Sequence, residues 1–254
     1  MTHAPSPPSL PGTASDAGAS GVARPGRVEA EVGGRVWRLS RPADLESLWA
    51  AMAEGDLGDD ERLPYWVELW PAAVLLARFV ARNAQRVRGR FCLDAGCGLG
   101  LSALVAASVG GRVLGFDYEP EALVFARQGL ELNRELLGPA AAPLFAVMDW
   151  RSPALARGSV DLLLGADILY ERRFFEPVAA LLDHALAPDG VAWIADPERS
   201  VSAPAWERLH ALGWNVTTPH SGRVAQGGQD MNVHIRQISR PERGHPPHLN
   251  LQGA

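Results

Sequence analysis

The heptapeptide DAGCGLG, residues 94–100, joins the apolar run RFCLD (90–94) to LSALVAASVG (101–110). RFCLD reads as a short buried strand, and LSALVAASVG is long enough for a helix. The alternating glycines between them let the backbone turn sharply and leave room for a ligand against the main chain. The start of the following helix offers unpaired N–H groups to polar or anionic atoms. The segment predicts a strand–loop–helix unit with a ligand at the C-terminal end of a parallel strand.

The same alternation continues outward from this unit. RVLGFD (112–117), PLFAVMD (143–149), VDLLLGAD (160–167) and GVAWIAD (190–196) read as further strands. Residues 120–137 read as a helix, with Pro120 and Glu121 in its first turn and Gly138-Pro139 as its stop. RFFEPVAALLDHAL (173–186) and AWERLHALG (205–213) are helices, and WNVTT (214–218) with NVHIRQIS (232–239) forms a closing antiparallel pair. Near-continuous apolar strands separated by helices imply a sheet covered on both faces. The predicted fold is α/β: a Rossmann-like, doubly wound, seven-stranded sheet, mostly parallel with its last strand antiparallel.

Upstream, VEAEVGGRVWRLSRP (28–42) suggests two short strands around Gly33-Gly34, and DLESLWAAMAE (44–54) a helix from Asp44. Pro71 suits the first residue of another helix, where its missing N–H has no partner to lose. Residues 1–26 are Pro, Ala, Ser and Gly without periodicity and predict a disordered leader, and 241–254 a flexible tail. The folded domain is then 27–240.

A chain of 254 residues, 47% hydrophobic, suits one large α/β domain. A net charge of −5 and the lack of any basic stretch argue against a nucleic-acid partner. All 24 basic residues are Arg, which removes lysine nucleophiles and Schiff-base chemistry. Cys92 and Cys97 are the only cysteines, so neither a disulfide scaffold nor a Cys/His metal site is expected. These features read as a reducing, cytoplasmic protein. No apolar run is long enough to span a membrane, and the N-terminus lacks a signal-peptide core. A monomer is expected.

Two cofactors use a glycine loop of this kind. A dinucleotide fingerprint needs G-x-G-x-x-G/A. Counted from Gly96 and Gly98, the third position is Leu101, which fails. The pattern acid-x-G-x-G-x-G, in Asp94, Gly96, Gly98 and Gly100, fits and is that of S-adenosylmethionine. Asp117 ends the next strand and is placed to accept the ribose hydroxyls. Asp149 and Trp150 fall where the adenine lies, one accepting from its amino group and the other stacking on it; Trp150 reads alternatively as core. GADILYE (165–171) sets Asp167 and Tyr170 at D-x-x-Y spacing toward the sulfonium, the alternative being a helix cap and a core aromatic. In LPYWVELW (63–70), Trp66 and Trp70 stand four apart with Glu68 between them, and one reading sets this aromatic pair and carboxylate at a ligand site. The competing reading makes Trp66 and Trp70 an i, i+4 packing pair and leaves Glu68 exposed.

PYWVELWPAA (64–73), DAGCGLG, FDYEP (116–120), GADILYE and ADPER (195–199) together resemble the seven-β-strand, class I protein-lysine methyltransferases. These carry D-x-x-Y or D-x-x-F after the corresponding strand. Within them the chain is similar to the electron-transfer-flavoprotein β-subunit lysine methyltransferases and to bacterial relatives labelled as nicotinamide N-methyltransferases. The resemblance covers residues 28–240 and implies Trp70, Asp94, Gly96, Gly98, Gly100, Asp117, Asp149 and Trp150 around the donor, with Asp167 and Tyr170 on the acceptor amine. It implies a protein substrate, with a small-molecule amine or pyridine as the alternative acceptor and a catalytically silent donor-binding partner as the second. The flavoprotein-directed enzymes carry Gly after D-P, where this chain has Glu198.

Deprotonating a lysine amine at neutral pH costs about 4.6 kcal/mol. A carboxylate raises that pKa, so Asp167 is expected to capture and aim the ammonium. A sulfonium at roughly 4 Å offsets about 4 kcal/mol at an effective dielectric constant near 20.

Overall fold

The computed structural model describes residues 25–45, 64–138, 142–197 and 201–241. Seven strands form its main sheet: β3 (Phe91–Ala95), β4 (Arg112–Asp117), β5 (Leu144–Val147), β6 (Val160–Ala166), β7 (Leu186–Pro197), β8 (Asn215–Gln226) and β9 (Gln229–Ser239). Their spatial order is β5-β4-β3-β6-β7-β9-β8. Pairs from β5 through β7 are parallel, whereas β9 runs antiparallel to both β7 and β8. The last strand of the chain is thus the reversed one, slotted between two others. Winding proceeds outward from β3 through β4 to β5, then resumes on the other side with β6. The switch point lies between β3 and β6, where DAGCGLG leaves the sheet.

Strand alternation divides the core in two. Cys92 and Trp193 face one layer, with Leu76, Leu104 and Leu123 of the helices Pro71–Arg82, Leu101–Ser108 and Pro120–Leu132. Leu93 and Ile194 face the other, with Leu181 and Trp206 of the helices Phe175–Ala185 and Ala203–Ala211. Coverage of both faces explains why these strands read as unbroken apolar runs. The helix Leu101–Ser108 is buried at every position from Leu101 to Ala107, matching its lack of a polar face.

A separate antiparallel hairpin, β1 (Pro25–Val32) and β2 (Arg35–Pro42), packs on the helix Pro120–Leu132. It starts two residues inside the expected leader, because Pro25 and Gly26 pair with Pro42 and Arg41. That helix was expected to run to 137 and instead stops at Leu132. The cause is Asn133, 1% exposed, whose Nδ2 donates to Gly129 O at 2.7 Å and to Arg38 O at 2.6 Å. Its Oδ1 accepts from Arg38 N at 3.0 Å, so one side chain ends the helix and fastens the hairpin. The closing pair is also longer than the sequence suggested. β8 runs on through Pro219 with a register shift between Thr217 and His220, at the sheet edge where a missing N–H costs nothing.

Nearly all of the helix expected at 44–54, together with residues 1–24, Glu198 and the tail beyond 241, lies outside the described residues. Among the described residues, no helix is long and apolar enough to cross a membrane.

Candidate active site

The glycine loop takes its shape from three left-handed residues, with φ of 64° at Gly96, 49° at Gly98 and 84° at Gly100. Their surroundings differ. A Cβ at Gly100 would lie 3.2 Å from both Ala126 Cβ and Phe145 Cζ, so this glycine is required by packing. At Gly98 the nearest atom is Trp66 O at 3.6 Å, an ordinary contact, and the residue lines the pocket. Cys97 N donates to Phe116 O at 2.9 Å and Gly98 N to Asp117 Oδ2 at 2.9 Å, which stitch the loop to the end of β4. Asp117 Oδ1 accepts from Glu119 N at 3.1 Å. Burial pushes the Asp117 carboxyl up, and these N–H groups oppose that shift.

Asp94 is 2% exposed, and its Oδ2 is buried with no hydrogen-bond partner. Burial pushes its pKa up to about 7 against the opposing N–H of Ala103 in the next helix, with the Asp117 charge adding to the rise. An orphaned carboxylate oxygen is costly unless a donor arrives from elsewhere. The Cys97 thiol in the same loop is pushed up by burial and stays protonated, so it offers no thiolate nucleophile.

Every predicted site residue lines one pocket of about 330 Å³: Trp70, Asp94, Gly96, Gly98, Gly100, Asp117, Asp149, Trp150, Asp167 and Tyr170. Asp149 is gripped by Arg151, whose Nε lies 3.1 and 2.8 Å from its two oxygens. Burial acts to raise Asp149, but Arg151 outweighs it and holds the carboxyl below its usual range. Arg151 also lies over the exposed Tyr118 ring, 5.7 Å from its centroid.

Asp167 follows β6 with φ of 54°, unlike every other non-glycine residue described. Its N–H donates to Ala195 O of β7 at 2.8 Å. Tyr170 begins a row of aromatic rings set edge to face. Tyr65 lies 4.9 Å from it at 62°, Phe174 lies 4.9 Å away at 61°, and Trp150 meets Phe174 at 5.3 Å and 66°. Trp70 closes the row beside Tyr65 at 6.1 Å, donating Nε1–H to Tyr65 O at 2.8 Å. Burial pushes the Tyr170 phenol well up, so it remains neutral.

Trp66 and Trp70 do not share a helix: Trp66 is in a short 3-10 turn, Tyr65–Val67, and Trp70 caps the helix that Pro71 begins. Trp66 stacks on Phe125 at 5.7 Å and 29°. Glu68 lines the pocket but is tied to Arg41 Nη1 at 2.9 Å, so it is not a bare exposed acid. Sequence reasoning missed Tyr65, Phe174, Tyr118 and Arg151. Tyr65 lay within the quoted PYW stretch, and Phe174 four residues past Tyr170, but nothing in their spacing marks which rings converge. Among the described residues, no group of three His, Cys, Asp or Glu is placed to hold a metal.

A glycine loop at the switch of this sheet, with the reversed β9 inside its far edge, defines a class I methyltransferase fold. In fold the chain is similar to magnesium protoporphyrin IX methyltransferase from Synechocystis PCC 6803, solved with bound SAM. The TM-score is 0.52 at 15% identity, over 78% of this chain and 92% of that one. Residues 60–206 match the family described as Lysine methyltransferase, and the chain belongs to that family. It is 32% identical over 139 residues to the electron transfer flavoprotein beta subunit lysine methyltransferase of Danio rerio, covering 54% of this chain and 51% of that protein. It is 27% identical over 184 residues to EEF1A lysine methyltransferase 3 of Mus musculus, covering 71% and 75%. The chain thus spans about half the length of the zebrafish relative.

Proposed function

We propose that this protein is an S-adenosylmethionine-dependent methyltransferase acting on lysine side chains of a protein substrate. The observation that carries the reading is the pocket itself. It joins the orphaned Asp94 oxygen at the glycine loop to a row of aromatic rings and to Asp167.

The residues present fit the donor. Asp94 Oδ2 lacks the hydrogen-bond donor that an amino group brings, and Gly98, which lines the pocket without a side chain, admits a ligand against the backbone. Asp94, Gly96, Gly98 and Gly100 would hold the methionine part. Asp117 would take the ribose, since each of its oxygens keeps a second lone pair beyond the N–H it now accepts. Asp149, aimed by Arg151, and Trp150 would hold the adenine, and Trp70 would lend a π-face. When bound, S-adenosylmethionine supplies an electrophilic methyl on a positively charged sulfur.

Asp167 receives the incoming ammonium and fixes its direction. The neutral Tyr170 hydroxyl accepts a hydrogen bond from it, and Tyr65, Tyr170 and Phe174 wall the aliphatic stem and exclude water. These rings stand at about 60° to one another. Their centroids lie 4.9 Å apart, so they pack on one another as a single aromatic wall, and the choice of lysine over a nicotinamide-like acceptor is supported by the family match. In this reading the enzyme works as a cytoplasmic monomer, without a metal, and both cysteines stay free.

The test uses donor with a radioactive methyl, the purified protein and lysate of its source, with Asp167→Ala as control. A labelled protein band that disappears with the variant supports the proposal. Label confined to the small-molecule fraction overturns the protein substrate, and no label anywhere overturns the activity. The chain has no lysine of its own, so its band is expected to stay dark.

A further inference from the structure

Ile168 lines the pocket and is 2% exposed. Its branches sit in notches left by glycines of different strands. A Cβ at Gly96, in the loop after β3, would lie 3.3 Å from Ile168 Cγ2 and 3.4 Å from Trp150 Cζ3. A Cβ at Gly165, on β6, would lie 2.6 Å from Ile168 Cδ1 and 3.2 Å from Cγ1. Gly165 has no left-handed backbone, so the conformation there does not call for glycine; the space that Ile168 occupies does. The neighbouring Asp167 is held in an unfavoured left-handed conformation by its N–H bond to Ala195 O. A residue so placed keeps its position only if the surrounding structure over-determines it.

We infer that Ile168 is a positioning residue: keyed between Gly96 and Gly165, it sets the placement of Asp167 relative to the glycine loop. The shape of isoleucine matters. Branching at Cβ sends Cγ2 to one glycine and Cγ1–Cδ1 to the other, and it stiffens χ1 so that both are filled in one rotamer. Valine keeps both γ carbons and lacks only Cδ1, the atom 2.6 Å from the Gly165 Cβ position, so it vacates the innermost part of the second notch. This role rests on the reading of Asp167 as the residue that meets the acceptor amine.

The test is a cycle of Gly165→Ala, Ile168→Val and the double variant, because Ile168→Ala risks a cavity that unfolds the chain. Gly165→Ala puts a methyl 2.6 Å from Cδ1, displaces Ile168 and shifts Asp167. Its kcat falls by about 100-fold while the donor Kd stays within about threefold. Ile168→Val alone costs about tenfold in kcat, and in the double variant the new methyl fills the vacated space, so kcat returns to within about threefold of wild type. A second readout needs no acceptor: hydrogen exchange of the Asp167 amide in the donor-free protein rises about tenfold in each single variant and returns in the double. Effects that multiply in the double variant, or single variants with wild-type exchange at Asp167, overturn the inference. If the wild type transfers no methyl to any acceptor, the methyltransferase reading fails, and the exchange pattern still decides the role of Ile168.

Discussion

Replacing Asp167 separates what its backbone does from what its carboxylate does. Its φ of 54° lies in the left-handed region, where an L-residue is disfavoured by about 1–2 kcal/mol. Aspartate sits at the low end of that range because a short polar side chain bonds locally. Alanine has no such compensation and carries the full strain. Glycine carries none, but it loosens the unfolded chain, which costs about 0.5–1 kcal/mol. The balance leaves Asp167→Gly more stable than Asp167→Ala by about 0.5–1 kcal/mol. For a chain of this size that is about 1–4 °C in melting temperature. Both variants lack the carboxylate, so both lose methyl transfer while binding donor within a few-fold. Asp167→Asn tolerates the same backbone and removes only the charge, so it melts close to wild type yet transfers poorly. Calorimetry and a transfer assay at saturating donor read all three. An alanine variant that melts with or above the glycine variant would refute the strain; a glycine variant with full kcat would refute the role of the carboxylate.

Four further perturbations follow from the structure. Asp94 is pushed from its ordinary 3.8 to about 7 by burial, so between those values the folded chain holds a proton that the unfolded chain has lost. Stability of the donor-free protein therefore falls as pH rises through that window, and Asp94→Asn removes that part of the slope; melting temperatures from about pH 4 to about pH 8 test it, and an unaltered slope sinks the assignment. Gly98→Arg strains a left-handed backbone, fills the pocket and should abolish donor binding in calorimetry even where the variant still folds. Gly100→Ala, facing Ala126 and Phe145 at 3.2 Å, should instead lower the melting temperature more than Gly98→Ala does. Asn133→Ala strands the Arg38 N–H and C=O, costs about 2–3 kcal/mol, and should lower melting by roughly 5–10 °C, with the strand Arg35–Pro42 first to lose exchange protection.

Much of this molecule was legible in its letters because the physics involved is local. Apolar runs of strand length separated by helical segments permit a covered parallel sheet and little else. DAGCGLG reads as a ligand loop because its three glycines adopt a conformation that other residues resist. The acids at strand ends converge because parallel strands all point their C-terminal ends to one side. For the same reason Asp94, Asp117, Asp149 and Asp167 reach one pocket.

What the tertiary structure alone decided concerns partners brought from distant parts of the chain. Asn133 ends its helix early because Arg38 of a remote hairpin needs its amide, which no local propensity reveals. Pro219 does not stop β8, because β8 is an edge strand and edge position is a property of the sheet. Arg151 fixes Asp149, Arg41 fixes Glu68, and Tyr65 and Phe174 join Tyr170 through ring geometry set by separate elements. Gly165 looked like an ordinary residue of an apolar strand until Ile168 was seen lying where its side chain would be. Periodicity and turn chemistry depend on near neighbours and are carried by the sequence; steric fit and hydrogen-bond pairing depend on which surfaces meet, and only the folded chain determines that.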